Sequence, residues 1–192
     1  MALLAERWTL PDRSLYEKLI ACYSEAHRRY HTLQHLEECF ARFDEIHDLA
    51  QHPAEVEIAL WFHDAIYDPH RDDNEERSAD WARSSVPDAS AGERVHALVM
   101  ATRHDAVPAG IDARVLVDVD LAILGADARR FDQYEIQVRE EYSWVPSPIY
   151  RQKRRQIFQS FLERTTIYGT ARFIGEYEAR ARANLARALA KL

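Results

Sequence analysis

The chain has 192 residues, of which 47% are apolar and 30% are charged, and its formal net charge is −7. This length suits one compact domain, and a content of only 5 glycines and 7 prolines favours long helices over a β fold with many tight turns. The negative charge gives no support for non-specific nucleic-acid binding, which needs a broad basic face.

Apolar residues recur with helical spacing along almost the whole chain, which predicts an all-α fold of about eight or nine helices in a single domain. Pro53 is placed to open the third helix and Gly125 to end the sixth. The segment VLVDV is rich in valine, but an isolated strand would have no pairing partner, so it is interpreted as helical. The predicted helices span residues 12–27, 32–49, 53–66, 74–84, 91–103, 111–125, 128–142, 150–164 and 170–191.

The most informative fragment is ALWFHDAIYD, in which His63 and Asp64 come near the end of an apolar helix. Neighbours in the middle of a helix diverge by about 100°, but near a helix end the backbone can turn both side chains towards one point. An imidazole and a carboxylate together suit a divalent metal. This pair is therefore a candidate for the centre of a metal site.

A histidine before this pair and an aspartate after it complete an ordered pattern. The fragment RRYHTLQHLEE lies upstream and VDVDLAIL downstream, each on a predicted helix. Histidine, then HisAsp, then Asp on apolar helices resembles the HD superfamily of metal-dependent phosphohydrolases over residues 28–124. The fragments RQKRRQIFQSFLERTTIY and YEARARANL resemble the C-terminal half of a small bacterial subgroup of predicted HD phosphohydrolases. The resemblance implies an HD-type helical domain with a metal-site core at 28–124 and C-terminal helices at 127–192.

The resemblance leaves a choice of ligand at two positions. His35 is favoured over His31 because it is followed by Leu-Glu-Glu-Cys in an apolar helical context. Asp120 is favoured over Asp118 because the second Asp of an Asp-x-Asp pattern often binds the metal in this superfamily. The implied cofactor is one divalent metal ion, which could be Mn, Fe, Ni, Co, Zn or Mg. The implied metal ligands are His35, His63, Asp64 and Asp120.

The implied reaction is hydrolysis of a phosphate ester, with a nucleotide or a related small phosphorylated metabolite as the substrate. In this interpretation Asp64 also orients the attacking water and His104 faces the cavity. Glu75 and Glu76 are the candidates for the general acid or base, and Glu75 is favoured. Arg29 and Lys153 are predicted to meet the phosphate, because an anionic protein with an anionic substrate must place cations locally. Glu75 and His104 could instead be ordinary helix-end residues, whose charges the helix dipole favours.

Other interpretations stay open at this stage. The same ligands would serve a sensor domain with little turnover, and an HD-fold di-iron oxygenase would need about six ligands. A helical scaffold with incidental His and Asp residues is a third alternative. Cys22 and Cys39 are interpreted as small buried apolar residues. No apolar stretch approaches the ~20 residues that span a bilayer, so a cytoplasmic protein without a membrane partner is expected, and a homodimer is possible.

Overall fold

The computed structural model describes residues 2–104, 106 and 108–192, with side chains described from residue 4 onwards. Within these residues the chain forms ten α-helices and no strand, which confirms the predicted all-α fold class. The helices are α1 Ala2–Arg7, α2 Arg13–Cys22, α3 Leu33–Ile46, α4 Pro53–Phe62, α5 Asn74–Ser85, α6 Ala89–Met100, α7 Ile111–Asp120, α8 Ala128–Glu141, α9 Ser147–Glu163 and α10 Ala171–Leu189. Short 3₁₀ helices cover His47–Leu49, Ala101–Arg103 and Leu121–Gly125.

The predicted and observed helices differ mainly at their ends. Helix α1 was not predicted, because six residues are too few to show a helical period. The predicted helix at 111–125 ends at Asp120 and continues as a 3₁₀ turn. Helix α9 begins at Ser147, before Pro148, because a proline is accommodated in the first turn of a helix. In the described part of the chain, no helix is both long enough and apolar enough to cross a membrane.

Helix α4 lies at the centre of the core. Its residues Leu60, Trp61 and Phe62 are buried and, at about 100° per residue, point in different directions around the helix. A helix that is apolar on all sides is stable only when other elements surround it, and α3, α5, α6 and α7 all contact it. This packing carries the C-terminal end of α4, and with it the HisAsp pair, into the interior of the bundle.

The C-terminal helix is held against the core by two close contacts. The buried carboxylate of Asp118, on α7, accepts hydrogen bonds from the amides of Gly169 at 2.6 Å and Thr170 at 2.8 Å. At Gly125, an added Cβ would lie 2.8 Å from the Cβ of Tyr177, so only glycine allows α10 to approach this closely. Asp118, the rival to Asp120 as a metal ligand, therefore has a structural role at the start of α10.

Candidate metal centre

Three chain segments end at one point inside the bundle. His35 lies in the first turn of α3, His63 and Asp64 form the turn directly after α4, and Asp120 is the last residue of α7. Because the helix ends before His63, the side chains of His63 and Asp64 can face the same side although the two residues are adjacent. The Oδ2 atom of Asp64 is 3.2 Å from the Nε2 atom of His63.

The four predicted ligands lie within a few ångströms of one another. The Nε2 atoms of His35 and His63 are 3.0 Å apart. From the Nε2 atom of His35, Asp64 Oδ2 is at 3.3 Å and Asp120 Oδ1 at 3.4 Å. Asp120 Oδ1 is 3.7 Å from the Nε2 atom of His63. The structure thus brings together the four residues named from the sequence, and it brings Asp120 rather than Asp118 to this point.

The tautomer of His63 suits a metal ligand. Its Nδ1 atom is 2.7 Å from the carbonyl oxygen of Leu60, which can only accept a hydrogen bond. The Nδ1 atom must therefore carry a proton, and the Nε2 atom keeps its lone pair for the cluster when the ring is neutral. A hydrogen bond from the second ring nitrogen to a carbonyl is the usual support for a metal-binding histidine.

Cys39 also belongs to this cluster. Its Sγ atom lies 3.7 Å from both ring nitrogens of His35. One ligand atom from each of His35, Cys39, His63 and Asp120 falls within 4.8 Å of all the others, so this group could hold a metal ion. Interpreting Cys39 as a small apolar residue leaves it out of the predicted ligands, and this is a functional residue that sequence reasoning missed. The available signal was its position four residues after His35, on the same face of α3.

The electrostatics of the cluster fit a cation. Burial alone would raise the pKa of Asp64 and Asp120, but the facing imidazoles lower both well below the ordinary aspartate value. Burial favours the neutral rings, yet Cys39 raises the pKa of His35 and Asp64 raises the pKa of His63. Two protonated Nε2 atoms 3.0 Å apart would repel each other. A divalent ion in place of those protons would relieve this repulsion, so the donor set fits a metal.

A cavity of about 430 Å³ borders the cluster at Asp120. Glu75, His104 and Lys153, all named from the sequence, line this cavity together with His31. Glu75 is half-buried in the first turn of α5, and its burial raises the pKa of its carboxyl group. A carboxyl group with a raised pKa is suited to proton transfer near neutral pH.

His104 is held in an unusual backbone conformation beside Asp120. It has a φ of 58° and is the one non-glycine residue with positive φ among the described residues. Its Nε2 atom is 3.0 Å from Asp120 Oδ2, and its carbonyl oxygen accepts a hydrogen bond from Arg164 at 3.1 Å. Such a conformation costs of order 1 kcal/mol or more and persists where surrounding contacts enforce it. It is the conformation in which the His104 ring contacts Asp120.

The structure does not bring Arg29 to the site. Its side chain is 49% exposed, and its Nε atom is 3.8 Å from Glu140. The Nη1 atom donates to the carbonyl oxygens of Ala26 and Arg28. Arg29 is absent from the residues that line the cavity, because its guanidinium group is used on carbonyl groups of the preceding turn. Of the two predicted phosphate-binding residues, only Lys153 lies at the cavity.

His31, the alternative to His35 as the first metal ligand, belongs to a separate hydrogen-bond network around Glu141. Its Nδ1 atom is 2.8 Å from Glu141 Oε2, which also accepts a hydrogen bond from the hydroxyl group of Tyr67. Glu141 Oε1 accepts three backbone amides, from residues 29, 30 and 31. Burial would raise the pKa of Glu141, but the contact with His31 and these amides lower it to about 2. His31 is therefore held by Glu141 through one nitrogen while its ring lines the cavity.

Comparisons with protein-family models, curated proteins and solved structures find no match to this chain. The all-helical fold places a group of His35, Cys39, His63 and Asp120, with Asp64 beside it, where it could hold a metal ion.

Proposed function

We propose that this chain is a metal-dependent phosphohydrolase of the HD type that cleaves a phosphate ester of a nucleotide or a related small metabolite. The observation that carries the proposal is the convergence of two imidazoles and two carboxylates beside a cavity that also contains a carboxyl group, an imidazole and a lysine. The order of the four ligands along the chain supports the HD type. The substrate class is inferred from that resemblance alone.

In this proposal His35, His63, Asp64 and Asp120 hold one divalent ion, and these donors are compatible with Mn, Fe, Co, Ni, Zn or Mg. A bound ion of this kind polarises a phosphoryl group and lowers the pKa of a coordinated water. The imidazoles are buried, whereas the side chains of Asp64 and Asp120 are 19% and 14% exposed. Substrate would therefore approach from the carboxylate side.

The remaining groups of the cavity would transfer protons and neutralise the charge of the phosphate. The carboxylate oxygen of Asp64 that does not bind the ion would orient the attacking water. Glu75 would exchange a proton with the water or the leaving group. His104 would fix the orientation of Asp120 and contact the substrate from the cavity. Lys153 would offset the negative charge of the phosphate.

The test is a metal analysis of the purified protein together with a turnover screen of phosphorylated metabolites at defined metal loading. We expect about one equivalent of a divalent ion per chain and metal-dependent release of inorganic phosphate from at least one nucleotide or small phosphate ester. Asp64→Ala should remove both metal and turnover while circular dichroism stays helical, because Asp64 lies in the turn after α4 and is not one of the apolar residues that hold the helices together.

Three outcomes would contradict the proposal. Turnover by Asp64→Ala at the native rate with equal metal loading would remove Asp64 from the site. Retained metal and tight binding of a phosphorylated metabolite without any turnover would favour a sensor domain. A stoichiometry of two iron ions per chain would favour the oxygenase alternative.

A further inference from the structure

We propose that the thiolate of Cys39 is a direct ligand of the metal, so that the site selects Zn²⁺, Fe²⁺ or Co²⁺ over Mg²⁺ and Mn²⁺. The inference deepens the proposed function, since it rests on a metal at the same point, but it does not depend on which reaction occurs there. It adds a sulfur donor to the histidines and carboxylates of the HD pattern.

The spacing of the donor atoms supports a sulfur ligand. Neighbouring donors that share one ion at the usual 2.0–2.3 Å lie roughly 2.9–3.7 Å apart. Cys39 Sγ is 3.7 Å from His35 Nε2. Asp120 Oδ1 is 3.4 Å from His35 Nε2 and 3.7 Å from His63 Nε2. The sulfur atom is therefore close to the shared point, and because it is equally far from both ring nitrogens of His35 it must move towards Nε2 to share an ion with that nitrogen.

The position of Cys39 on α3 explains why its sulfur atom lies close to His35. His35 and Cys39 are four residues apart, so their side chains project from the same face of the helix. The same spacing places two histidines on one zinc ion in helical zinc-protease motifs. Because both donors come from one rigid helix, a single backbone segment fixes their separation.

The surroundings of the Cys39 sulfur favour metal coordination, because the sulfur is buried beside histidine rings. Cys39 is 2% exposed, and its Sγ atom contacts the ring nitrogens of His35 and also interacts with the His63 ring. Cys39 borders a cavity of about 330 Å³ that shares Tyr30, Asp120 and Ile123 with the cavity containing Glu75 and His104, but Cys39 itself lines only the first. Coordination by Cys39 would leave the side of the site that faces Glu75 open for water and substrate.

A thiolate changes which metals the site prefers. Soft sulfur donors favour zinc, iron and cobalt, whereas magnesium and manganese are best served by oxygen ligands. On coordination the thiol loses its proton to solvent, so binding of the ion releases one proton from Cys39. A set that adds sulfur to two imidazoles and two carboxylates therefore discriminates against magnesium more strongly than the same set without sulfur.

The experiment is a Co²⁺ titration of the metal-free full-length protein, followed by absorption spectroscopy. We expect a near-ultraviolet thiolate-to-cobalt charge-transfer band in the native protein, its loss in Cys39→Ser, and its retention in Cys22→Ser. Cys22 is the matched control, because it is a half-exposed cysteine on α2 that lies outside the cluster. Zn²⁺ affinity should fall by more than about 100-fold in Cys39→Ser, since losing even an outer-shell partner costs 10–100-fold.

X-ray absorption at the zinc edge of the native protein keeps the proposal testable if Cys39→Ser does not fold. One sulfur neighbour per zinc is expected, and a shell of nitrogen and oxygen alone would overturn the proposal. A cobalt spectrum that shows bound ion but no charge-transfer band would overturn it as well. These outcomes are separate from the hydrolase proposal, because a phosphohydrolase without sulfur ligation would still turn over and a zinc–sulfur site without turnover would still show the band.

Discussion

Two buried histidine–carboxylate networks lie on neighbouring parts of the same cavity, and they are satisfied in different ways. Glu141 accepts three backbone amides, the hydroxyl group of Tyr67 and the His31 ring. In the contacts described for the metal cluster, Asp64 and Asp120 face only imidazoles. Backbone amides hold one oxygen of Glu141, whereas Asp64 and Asp120 are held by rings that can release their protons.

This difference separates a structural carboxylate from one that is ready for a metal. Backbone amides cannot give up their hydrogens, so Glu141 and Asp118 are permanently satisfied and hold chain segments in place. A protonated imidazole nitrogen that loses its proton keeps a lone pair that can bind a cation. A cation can therefore replace the hydrogen bonds that the rings make to Asp64 and Asp120. Burial and proximity to histidine are therefore insufficient to identify a ligand, and the nature of the donors decides.

The largest effect should distinguish the two aspartates of α7. Asp120→Asn should lose its metal and its turnover while remaining helical, because an amide cannot supply the charge of the carboxylate. Asp118→Asn should keep metal and turnover but lose about 1–3 kcal/mol of unfolding free energy, because one of two backbone amides loses its acceptor. Elemental analysis and denaturant unfolding measure the two effects. Metal loss in Asp118→Asn with metal retained in Asp120→Asn would reverse the assignment.

The next effect concerns the groups that line the cavity without belonging to the cluster. Glu75→Gln and His104→Gln should each lower kcat by roughly 10²–10⁴-fold with unchanged metal content, the usual range for a proton-transfer group. Glu76→Gln is the matched control, since Glu76 is an exposed neighbour in the same helical turn and does not line the cavity. Equal losses in Glu75→Gln and Glu76→Gln would point to a general effect on α5. Metal loss in His104→Gln would instead indicate a ligand role for His104.

A smaller effect should appear in stability rather than in turnover. The pKa of Glu141 falls from the ordinary 4.5 to about 2, so the native state favours its ionised form. This contribution is present above about pH 4.5 and is lost as the pH falls towards 2, and a shift of this size corresponds to about 3 kcal/mol. Denaturant unfolding at pH 7 and pH 3 should show a steeper loss for the native protein than for Glu141→Gln. Parallel pH profiles for the two proteins would contradict this account.

The fold and the ligand pattern could be predicted because their signals are local. Helical periodicity gave the all-α class, and the order of His35, the HisAsp pair and Asp120 named residues that the structure brings together. Glu141 could not be linked to His31, because 110 residues separate them and no pattern relates α8 to the turn before α3. Cys39 carried a local signal, its spacing from His35, that the interpretation of cysteines as apolar residues set aside.

Arg29 shows why charge patterning alone could not assign the phosphate site. A basic residue beside the first histidine motif is near the site in sequence, but the direction of a long side chain depends on the partners within its reach. In the structure these partners are carbonyl oxygens of the preceding turn and Glu140. Lys153, more than a hundred residues away along the chain, lies at the cavity because α9 forms part of its wall.

The smallest expected effect tests this last contrast. Lys153→Gln should raise KM for a phosphorylated substrate by about tenfold with little change in kcat, because an exposed cation that binds ground state and transition state equally contributes about 1.4 kcal/mol. Arg29→Gln should leave both parameters within about twofold of the native values, since the Arg29 side chain lies outside the cavity. The expected KM effect of Lys153→Gln should also shrink as salt is added, because an exposed charge is screened. A rise in KM for Arg29→Gln as large as that for Lys153→Gln would contradict this account. It would mean that the turn before α3 rearranges on substrate binding and that Arg29 then reaches the phosphate.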